Sequence, residues 1–275
     1  MRPSDAEQMR KNPNLEVNQV FMTFSYAFAM SAKKKPFDDV RARKAVHLAL
    51  DRQEMVKVLA EGVGCINPPA ISCALKPWAI PDDELLKLPG YRQPKTEDVA
   101  EAKRLVKEAG YEGLKLTIQA YGSGDGPDRA QLTAEQLRRN LGWDVGIEVL
   151  DPPVLTQRQL AGDWLGGHVP ALAGTAEPDL ALSVIQPSAR SAQARYGFED
   201  AQFEQLIVQQ RETPSTQDRL RILRDIQTLL LEKHYVIGTY EIAAYRGWNK
   251  KFRGLSAEPR YGELIRWFSD VWMEK

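Results

Sequence analysis

Long apolar runs are missing from this chain of 275 residues, and neither sign of charge is in excess. The most apolar stretch, Val20 to Met30, is interrupted by Thr23, Ser25 and Tyr26. A helix that spans a bilayer needs roughly 20 apolar residues, so we expect no membrane-spanning segment. Lysine plus arginine and aspartate plus glutamate number 37 each. Without a basic excess, we expect no nucleic-acid partner and no attraction to an anionic membrane.

Histidine and cysteine are scarce, which limits the chemistry that the chain can perform. The three histidines, His47, His168 and His234, lie in no nucleophile-elbow or zinc-protease pattern. The two cysteines, Cys65 and Cys73, lie in one loop-like segment. They can form a bridge in an oxidising compartment or remain free thiols, and both alternatives stay open. We expect no catalytic residue, no metal site and no cofactor.

The amino-terminal residues are polar through Asn14 and lack a basic region followed by an apolar one. A secretory signal peptide has such a pattern, so none is expected in this chain. Two interpretations remain open. Either the protein stays in the cytoplasm, or Met1 is not the start of the natural polypeptide.

Apolar periodicity divides the chain into alternating helices and strands. The predicted helices include residues 39–50, 96–109, 128–141, 156–164, 179–185, 199–212 and 215–234, and the predicted strands include 115–121, 145–150, 169–173, 235–240 and 242–245. Asp51 and Glu54 have the spacing of a capping box, which predicts one more helix start. Strand, helix and strand over residues 115–150 predict a right-handed crossover and a parallel pair. The predicted fold class is α/β with a mixed sheet.

A glycine-rich loop, Gly122 to Gly126, follows a predicted strand and opens a predicted helix. Dinucleotide sites have a similar layout, because glycines let a pyrophosphate approach the start of a helix. The spacing here is Gly-x-Gly-x-Gly instead of Gly-x-Gly-x-x-Gly, and Asp125 and Asp128 would repel a phosphate. The alternative is a flexible turn before a helix that begins at Pro127.

Candidate ligand contacts come from loops and from an aromatic segment. Open α/β sheets bind ligands at the carboxyl ends of their strands, where Glu177-Pro178-Asp179 is expected; helix capping by Asp179 is the alternative. Loop aromatics can stack on a ligand or pack into the core, and both alternatives stay open. The candidate ligand-binding residues are Thr175, Glu177, Tyr196, Tyr26 and Phe24.

Several blocks of residues occur in the order found in one protein family. The run Lys35 to Ala45, followed by Ala49 to Arg52, resembles the signature of family 5 extracellular solute-binding proteins, the peptide- and nickel-type receptors of ABC importers. Further blocks similar to the family lie at residues 102–111, 141–149, 177–179, 219–232 and 252–255. The resemblance extends from about Pro3 to the carboxyl terminus.

The resemblance implies a periplasmic-binding-protein-like fold of type II, in which two lobes close on a solute. This chain resembles the C-terminal half of such a receptor. Residues 1–36 would be hinge and N-terminal-lobe remnant strands, 37–236 the C-terminal solute-binding lobe, and 237–275 the return segment. The implied partners are a solute of the peptide or sugar class and the membrane permease of an ABC importer. The implied location is the periplasm, and the chain would not be an enzyme.

One departure from the family limits what the resemblance implies about the solute. Peptide-binding members often place Trp-x-x-Asp just before their Asp-Pro, and the aspartate holds the amino terminus of the peptide. Ala171 and Gly174 stand at those positions here. A sugar, an opine or another solute therefore remains as open as a peptide. With one lobe absent, we expect weak or no solute binding by this chain alone.

Two other classes of function remain open at this point. One is a nucleotide-binding enzyme built on the Gly122–Gly126 loop, and NAD or ATP would then raise its melting temperature. The other is an association or scaffold module that uses the aromatic-rich ends of the chain, which concentration-dependent sedimentation would reveal.

Overall fold

The structure is a computed structural model that describes residues 3–21, 24–172, 177–255 and 271–274. Its helices are α1 (Pro3–Arg10), α2 (Val40–Ala49), α3 (Arg52–Leu59), α4 (Asp82–Leu85), α5 (Thr96–Glu108), α6 (Gly126–Leu141), α7 (Pro152–Leu160), α8 (Asp179–Ile185), α9 (Arg190–Arg195), α10 (Ala201–Glu212) and α11 (Thr216–Lys233). Its strands are β1 (Leu15–Phe21), β2 (Phe24–Met30), β3 (Gly64–Ile66), β4 (Lys115–Tyr121), β5 (Asp144–Leu150), β6 (Gly166–Leu172), β7 (Val236–Gly238), β8 (Tyr240–Asn249), β9 (Phe252–Arg253) and β10 (Trp272–Met273). None of the described helices is both long and apolar enough to span a membrane.

Parallel and antiparallel pairs occur together, which confirms the predicted α/β class with mixed sheets flanked by helices. The parallel pair is β4 with β5, in register from Lys115 opposite Asp144 to Tyr121 opposite Leu150. The antiparallel sheets have the orders β6-β2-β7 and β1-β8-β3, and β9 pairs with β10. Helix α6 connects β4 to β5, so the parallel pair predicted from residues 115–150 is confirmed, and the right hand of the crossover stays a prediction.

Strand β2 lies at the centre of the molecule and separates two hydrophobic cores. Successive side chains of a strand point to opposite faces. Accordingly, Ala27 and Ala29 belong to a core formed mainly with α8, α10 and α11. Phe28 and Met30 belong to a second core formed mainly with α2, α5, α6, β4 and β5. All four side chains are at most 2 % exposed.

Among the chain segments that connect this body to the β1-β8-β3 sheet, two lead into β2 and β8. One leads from β1 to β2, and the other leads from β7 to β8 through Thr239. Thr239 donates from its backbone N (3.3 Å) and its Oγ1 (2.9 Å) to the carbonyl oxygen of Tyr26, which fastens the link between β7 and β8 to β2. We refer to this place as the strand junction. The domain boundaries expected at residues 36 and 237 stay a prediction.

Local signals set several helix ends as predicted, while others were misread. The Asp51 carboxylate accepts from the backbone N of Gln53 and Glu54, as its capping position predicts. The reciprocal half of the capping box is absent, because the Gln136 side chain accepts from the Asp51 N instead. Helix α7 begins earlier than the expected residue 156, since Pro152 starts the helix. Proline suits a first helical position because the missing N–H has no partner there.

The alternatives left open for the cysteines are settled. Cys65 and Cys73 form a disulfide with their Cα atoms 6.2 Å apart.

Two aromatic side chains near the carboxyl end are exposed to solvent, since Phe252 and Trp272 are 42 % and 60 % exposed. Among the described residues, no group of histidines, cysteines and carboxylates is arranged to hold a metal ion.

Candidate functional site

The glycine-rich loop lies where the parallel strands β4 and β5 end. A side chain on Gly126 would collide with the carbonyl oxygen of Tyr121, and Gly124 has a positive φ of 56°. The loop therefore needs glycine to turn tightly from β4 into α6. The carboxyl ends of parallel strands are the usual ligand-binding edge of an open α/β sheet. The first turn of α6 is thus placed at that edge.

A buried arginine in this first turn organises a group of four side chains. Arg129 Nη1 forms an ion pair with Asp125 Oδ1 at 2.5 Å, one helical turn earlier. The guanidinium carbon lies 3.5 Å from the centre of the Tyr26 ring. Tyr240 Oη lies 3.5 Å from Asp125 Oδ2, and its ring centre is 6.4 Å from that of Tyr26. We call these four residues the Arg129 cluster.

The cluster lies at the strand junction, because it draws on both connecting segments. Tyr26 lies on β2 and bonds Thr239 through its carbonyl oxygen, and Tyr240 is the first residue of β8. Helix α6 contributes Arg129, and the residue before the helix is Asp125. A change in the angle between the body and the β1-β8-β3 sheet would therefore change the distances between the side chains of this cluster.

The electrostatics of the cluster favour a permanent cation. Arg129 is only 5 % exposed, and this burial opposes its charge. The nearby Tyr26, Asp125 and Tyr240 outweigh burial and raise the pKa of Arg129 above its ordinary value. Its Nε has no hydrogen-bond partner among the described residues. A buried donor without a partner is costly, and because this atom is covered by protein, an acceptor from outside would reach it only if the strand junction moved.

The surroundings of the cluster are asymmetric in charge. A cavity of about 350 Å³ opens beside Asp125, and its lining also includes Asp5, Glu61 and Asp128. On the inner side, Thr133 Oγ1 lies 2.7 Å from His168 Nε2. Burial and the Arg129 charge lower the pKa of His168 to about 3, so the imidazole is neutral. The cluster therefore has carboxylates on its outer side and a neutral imidazole on its inner side.

The residues predicted to bind a ligand are not all brought together. Tyr26 belongs to the Arg129 cluster. Glu177 is about half exposed and pairs with Arg219 Nη1 at 2.5 Å. Tyr196 is 1 % exposed and packs against Phe198, so its ring lies inside the core and away from solvent.

Two of the predicted ligand residues give less information. Thr175 lies outside the described residues. Phe24 is placed on β2 opposite Leu172, but its side chain is not among those described. The roles proposed for all five candidates stay predictions. Asp179 does not cap α8, because its carboxylate accepts instead from Gln210 and Arg211, at 2.6 Å each.

Sequence reasoning missed Asp125, Arg129 and Tyr240 as members of one site. A signal for the first two exists, since a carboxylate four residues before an arginine favours an ion pair on a helix. It was overlooked because the helix was expected to begin at Asp128, whereas α6 begins at Gly126. Tyr240 could not be found in this way, because its position depends on the break between β7 and β8 at Thr239.

Comparison with known proteins places the chain among solute-binding proteins. A family model described as bacterial extracellular solute-binding proteins, family 5 Middle, matches residues 1–190. The chain is 25 % identical over 244 residues to the glutathione-binding protein GsiB of Salmonella typhimurium. It is 23 % identical over 248 residues to the dipeptide-binding protein DppE of Bacillus subtilis.

Solved structures show the same fold. The murein tripeptide-binding protein MppA of Escherichia coli matches with a TM-score of 0.81 at 18 % identity. The binding protein DppA of Helicobacter pylori, in complex with the peptide STSA, matches with a TM-score of 0.78 at 22 % identity. These matches cover 99 % of this chain and 52 % and 51 % of those proteins. The chain covers 44 % of GsiB, so it spans about half the length of the relatives it matches. The predicted periplasmic-binding-protein-like fold is confirmed.

Proposed function

Because this chain belongs to the bacterial extracellular solute-binding proteins of family 5, we propose that it supplies one wall of a cleft that captures a small peptide for an ABC importer. The single observation that carries the proposal is the buried Arg129 at the strand junction, whose Nε has no hydrogen-bond partner in the described part of the chain. The names of the relatives GsiB and DppE, which bind glutathione and dipeptides, support the peptide class.

A carboxylate is the ligand group that best fits Arg129. A guanidinium presents a planar set of donors, and it binds a carboxylate through two parallel hydrogen bonds. Asp125 occupies one Nη of the guanidinium, while Nε remains without a partner among the described residues. The Tyr26 ring holds the guanidinium plane from one face. Every free peptide carries a terminal carboxylate, so the cluster can receive this end of the ligand.

The acidic lining beside the cluster complements the other end of a peptide. Asp5, Glu61 and Asp128 surround the neighbouring cavity, where a ligand ammonium group would be attracted. The position of the missing anchor aspartate, Gly174, lies outside the described residues. From this wall, recognition would therefore rest on the carboxylate more than on the amino terminus.

The sugar and nucleotide alternatives fit the described residues less well. A neutral sugar offers no carboxylate to Arg129, and Tyr196, a predicted stacking ring, is buried. A phosphate at the start of α6 would meet the carboxylate of Asp125, which is the helix N-cap residue, and that of Asp128. A phosphate on the backbone N–H groups of the helix start would face these like charges with only the helix dipole to attract it, whereas a ligand carboxylate would face the full positive charge of Arg129.

Capture would follow from movement at the strand junction. In a hinged receptor, a few residues at the ends of elements absorb the change in backbone angle. The two segments that lead into β2 and β8 are the natural hinge, and a ligand on Arg129 would favour the closed state through contacts made only there. Delivery to a membrane permease and a location outside the cytoplasm are parts of the same proposal.

Replacement of Arg129 tests this function directly. Nuclear magnetic resonance titration of the chain with a dipeptide should show weak binding, with a Kd of about 1 mM, because only one wall contributes. Arg129→Gln should weaken this binding at least about tenfold, since a hydrogen bond to a charged group contributes about 1.5–3 kcal/mol. A dipeptide amide, which lacks the carboxylate, should bind the unaltered chain equally poorly.

The matched control is Arg139→Gln, on the same helix but in an ion pair with Glu54 at the far end. It should leave dipeptide binding unchanged. Equal binding of the acid and the amide, or micromolar binding that survives Arg129→Gln, would contradict the proposal. A rise in melting temperature with ATP or NAD would instead support the nucleotide alternative.

A further inference from the structure

A second site lies at a cavity of about 1010 Å³ whose lining includes none of the four residues of the Arg129 cluster. The cavity is bordered by α3, β3 and α4 and reaches Arg139 on α6. Arg139 follows Arg129 by ten residues on this helix, which corresponds to about 15 Å. The cavity differs in its lining from the Arg129 cluster, although Ile66 in its wall is paired with Tyr240. No step of the proposed solute capture uses it.

The disulfide connects this cavity to the protein interior. Cys65 is half-buried and lies in the cavity wall, whereas Cys73 is only 4 % exposed. A thiolate that enters the cavity would thus reach Cys65 and not Cys73. Attack on the Cys65 sulfur releases the Cys73 sulfur as a thiolate. A buried thiolate is unfavourable unless a proton or a cation lies close to it.

A carboxyl group lies at the place where this proton is needed. Glu241 on β8 is 1 % exposed and is paired in register with Cys65 on β3. Its Oε2 lies 3.9 Å from the Cys73 sulfur. The same oxygen accepts a hydrogen bond of 2.5 Å from Ser72 Oγ, while Oε1 has no partner in the described part of the chain.

The protonation state of Glu241 suits a donor. Burial raises the pKa of Glu241 to about 8, and the Ser72 hydroxyl opposes this shift. The groups that face the carboxyl are Ser72 and Cys73 from the loop and Cys65 from β3, and no charged side chain among the described residues contributes to the pKa. The carboxyl therefore holds its proton at pH 7, beside the sulfur that would leave.

A purely structural disulfide does not account for this arrangement. A disulfide that only ties a loop gains nothing from a neighbouring carboxyl, and a buried carboxyl without an ionic partner destabilises the fold. Glutamine would fill the same space and still accept from Ser72. The presence of a carboxylic acid at position 241 thus indicates proton transfer to a sulfur of the disulfide.

We propose that Cys65 and Cys73 form a thiol–disulfide exchange site for a dithiol reductant, with Glu241 as the proton donor to Cys73. A thiolate of the reductant attacks Cys65 Sγ, the Cys65–Cys73 bond breaks, and the electron pair goes to Cys73 Sγ, which takes the Glu241 proton. The second thiolate of the reductant then attacks the first sulfur of the reductant, which is bonded to Cys65 Sγ in the mixed disulfide. This step releases the Cys65 thiolate, which is protonated by water, and the reductant leaves oxidised.

The reduction rate of the folded chain tests this site, with dithiothreitol as the dithiol. Rates are measured by acid quench, alkylation and mass spectrometry between pH 6 and pH 9, and divided by the dithiothreitol thiolate concentration. The unaltered chain should react at a constant rate below pH 8 and about tenfold more slowly above it, once Glu241 is ionised. Glu241→Gln should react slowly at every pH, without this break.

Two further variants separate proton donation from a structural role. Ser72→Ala removes the hydrogen bond that lowers the Glu241 pKa, so the break should move to higher pH. Glu135→Gln, at an exposed position on α6, should behave as the unaltered chain does. The proposal is overturned if Glu241→Gln keeps the rate and the profile, or if the unaltered chain shows no break. Should Glu241→Gln fail to fold, the profiles of the unaltered chain and Ser72→Ala decide.

Discussion

The free energy of unfolding of this protein should decrease between pH 7 and pH 5. In the variant His234→Asn, this decrease is expected to be smaller by about 2 kcal/mol. All three histidines of the chain are buried, at 3–5 % exposure. Burial, followed by the charges of Lys44 and Arg43, lowers the pKa of His234 to about 3. The carboxyl end of a helix such as α11 favours a cation, but burial outweighs this effect at His234.

The neighbouring His47 is also neutral, and its hydrogen bonds determine which ring nitrogen carries the hydrogen. Its Nε2 lies 3.0 Å from the carbonyl oxygen of Pro89, so this nitrogen carries the hydrogen. Its Nδ1 lies 3.1 Å from Arg52 Nη2 and accepts from it. A second proton on His47 would face the arginine charge. Burial and then Arg52 accordingly lower the pKa of His47 well below its ordinary value.

The direction of the pH effect follows from which state binds protons. A histidine of the unfolded chain titrates near 6.5, whereas His168 and His234 in the folded chain titrate at about 3. Below pH 6.5 the unfolded state takes up protons that the folded state refuses, so stability falls as the pH is lowered. Glu241 acts in the opposite direction, because its folded pKa of about 8 lies above the unfolded value. The contribution of Glu241 to the pH dependence of stability is the same in the unaltered chain and in His234→Asn, so it cancels in the comparison.

Urea denaturation at pH 7 and pH 5 measures this difference. Asparagine is suitable at position 234 because His234 has a positive φ of 54°, which asparagine tolerates. His168→Gln serves as an independent variant and should make the decrease smaller by a similar amount, and the double variant by about 4 kcal/mol because the sites are separate. Identical losses in the variants and the unaltered chain would show that the histidines bind protons freely in the fold.

Arg52→Ala is expected to lower the free energy of unfolding by about 4 kcal/mol, far more than the loss of an exposed arginine would. Arg52 is 1 % exposed, and its guanidinium carbon lies 4.1 Å from the centre of the Tyr91 ring. It donates to the carbonyl oxygens of Gly238 (2.8 Å), Gly90 (2.5 Å), His47 (3.2 Å) and Leu50 (3.3 Å). Alanine would remove this donor from four buried carbonyl oxygens, of which Gly90 O keeps Lys95 Nζ at 3.0 Å, and would open a cavity.

The control for this prediction is Arg221→Ala. Arg221 pairs with Asp218 on the surface of α11, and its side chain is 69 % exposed. Exposed pairs contribute at most about 1 kcal/mol, so urea denaturation should detect little change. A loss below about 1.5 kcal/mol for Arg52→Ala would mean that water replaces the guanidinium at little cost.

The sequence predicted the elements whose signals are local. The unit of β4, α6 and β5 was found because alternation, amphipathic spacing and the glycine that ends α6 all lie within the segment itself. The cap at Asp51 was found for the same reason. The family was recognised from ordered blocks of residues, and the match to residues 1–190 agrees with it.

What the sequence could not predict depends on residues far apart in the chain. Arg52 reads as an ordinary first helical residue, and its burial depends on Gly238, 186 residues later. The cysteine pairing depends on a Cα–Cα distance, which spacing does not determine. Tyr196 reads as a loop residue, whereas helices from elsewhere in the chain cover it. The candidate site was therefore predicted only through Tyr26, since its other members meet across the strand junction.

The position of β2 has a consequence for how this molecule unfolds. Because its alternate side chains serve both cores, β2 is a wall common to two compartments. A shift of one residue along β6 or β7 would exchange alanine for phenylalanine and methionine on each side, leaving one compartment overfilled and the other with voids. We therefore expect that neither hydrophobic core can unfold while the other keeps its packing. The body of the protein should thus lose its structure in one cooperative transition, with amide exchange in both compartments reporting the same opening energy.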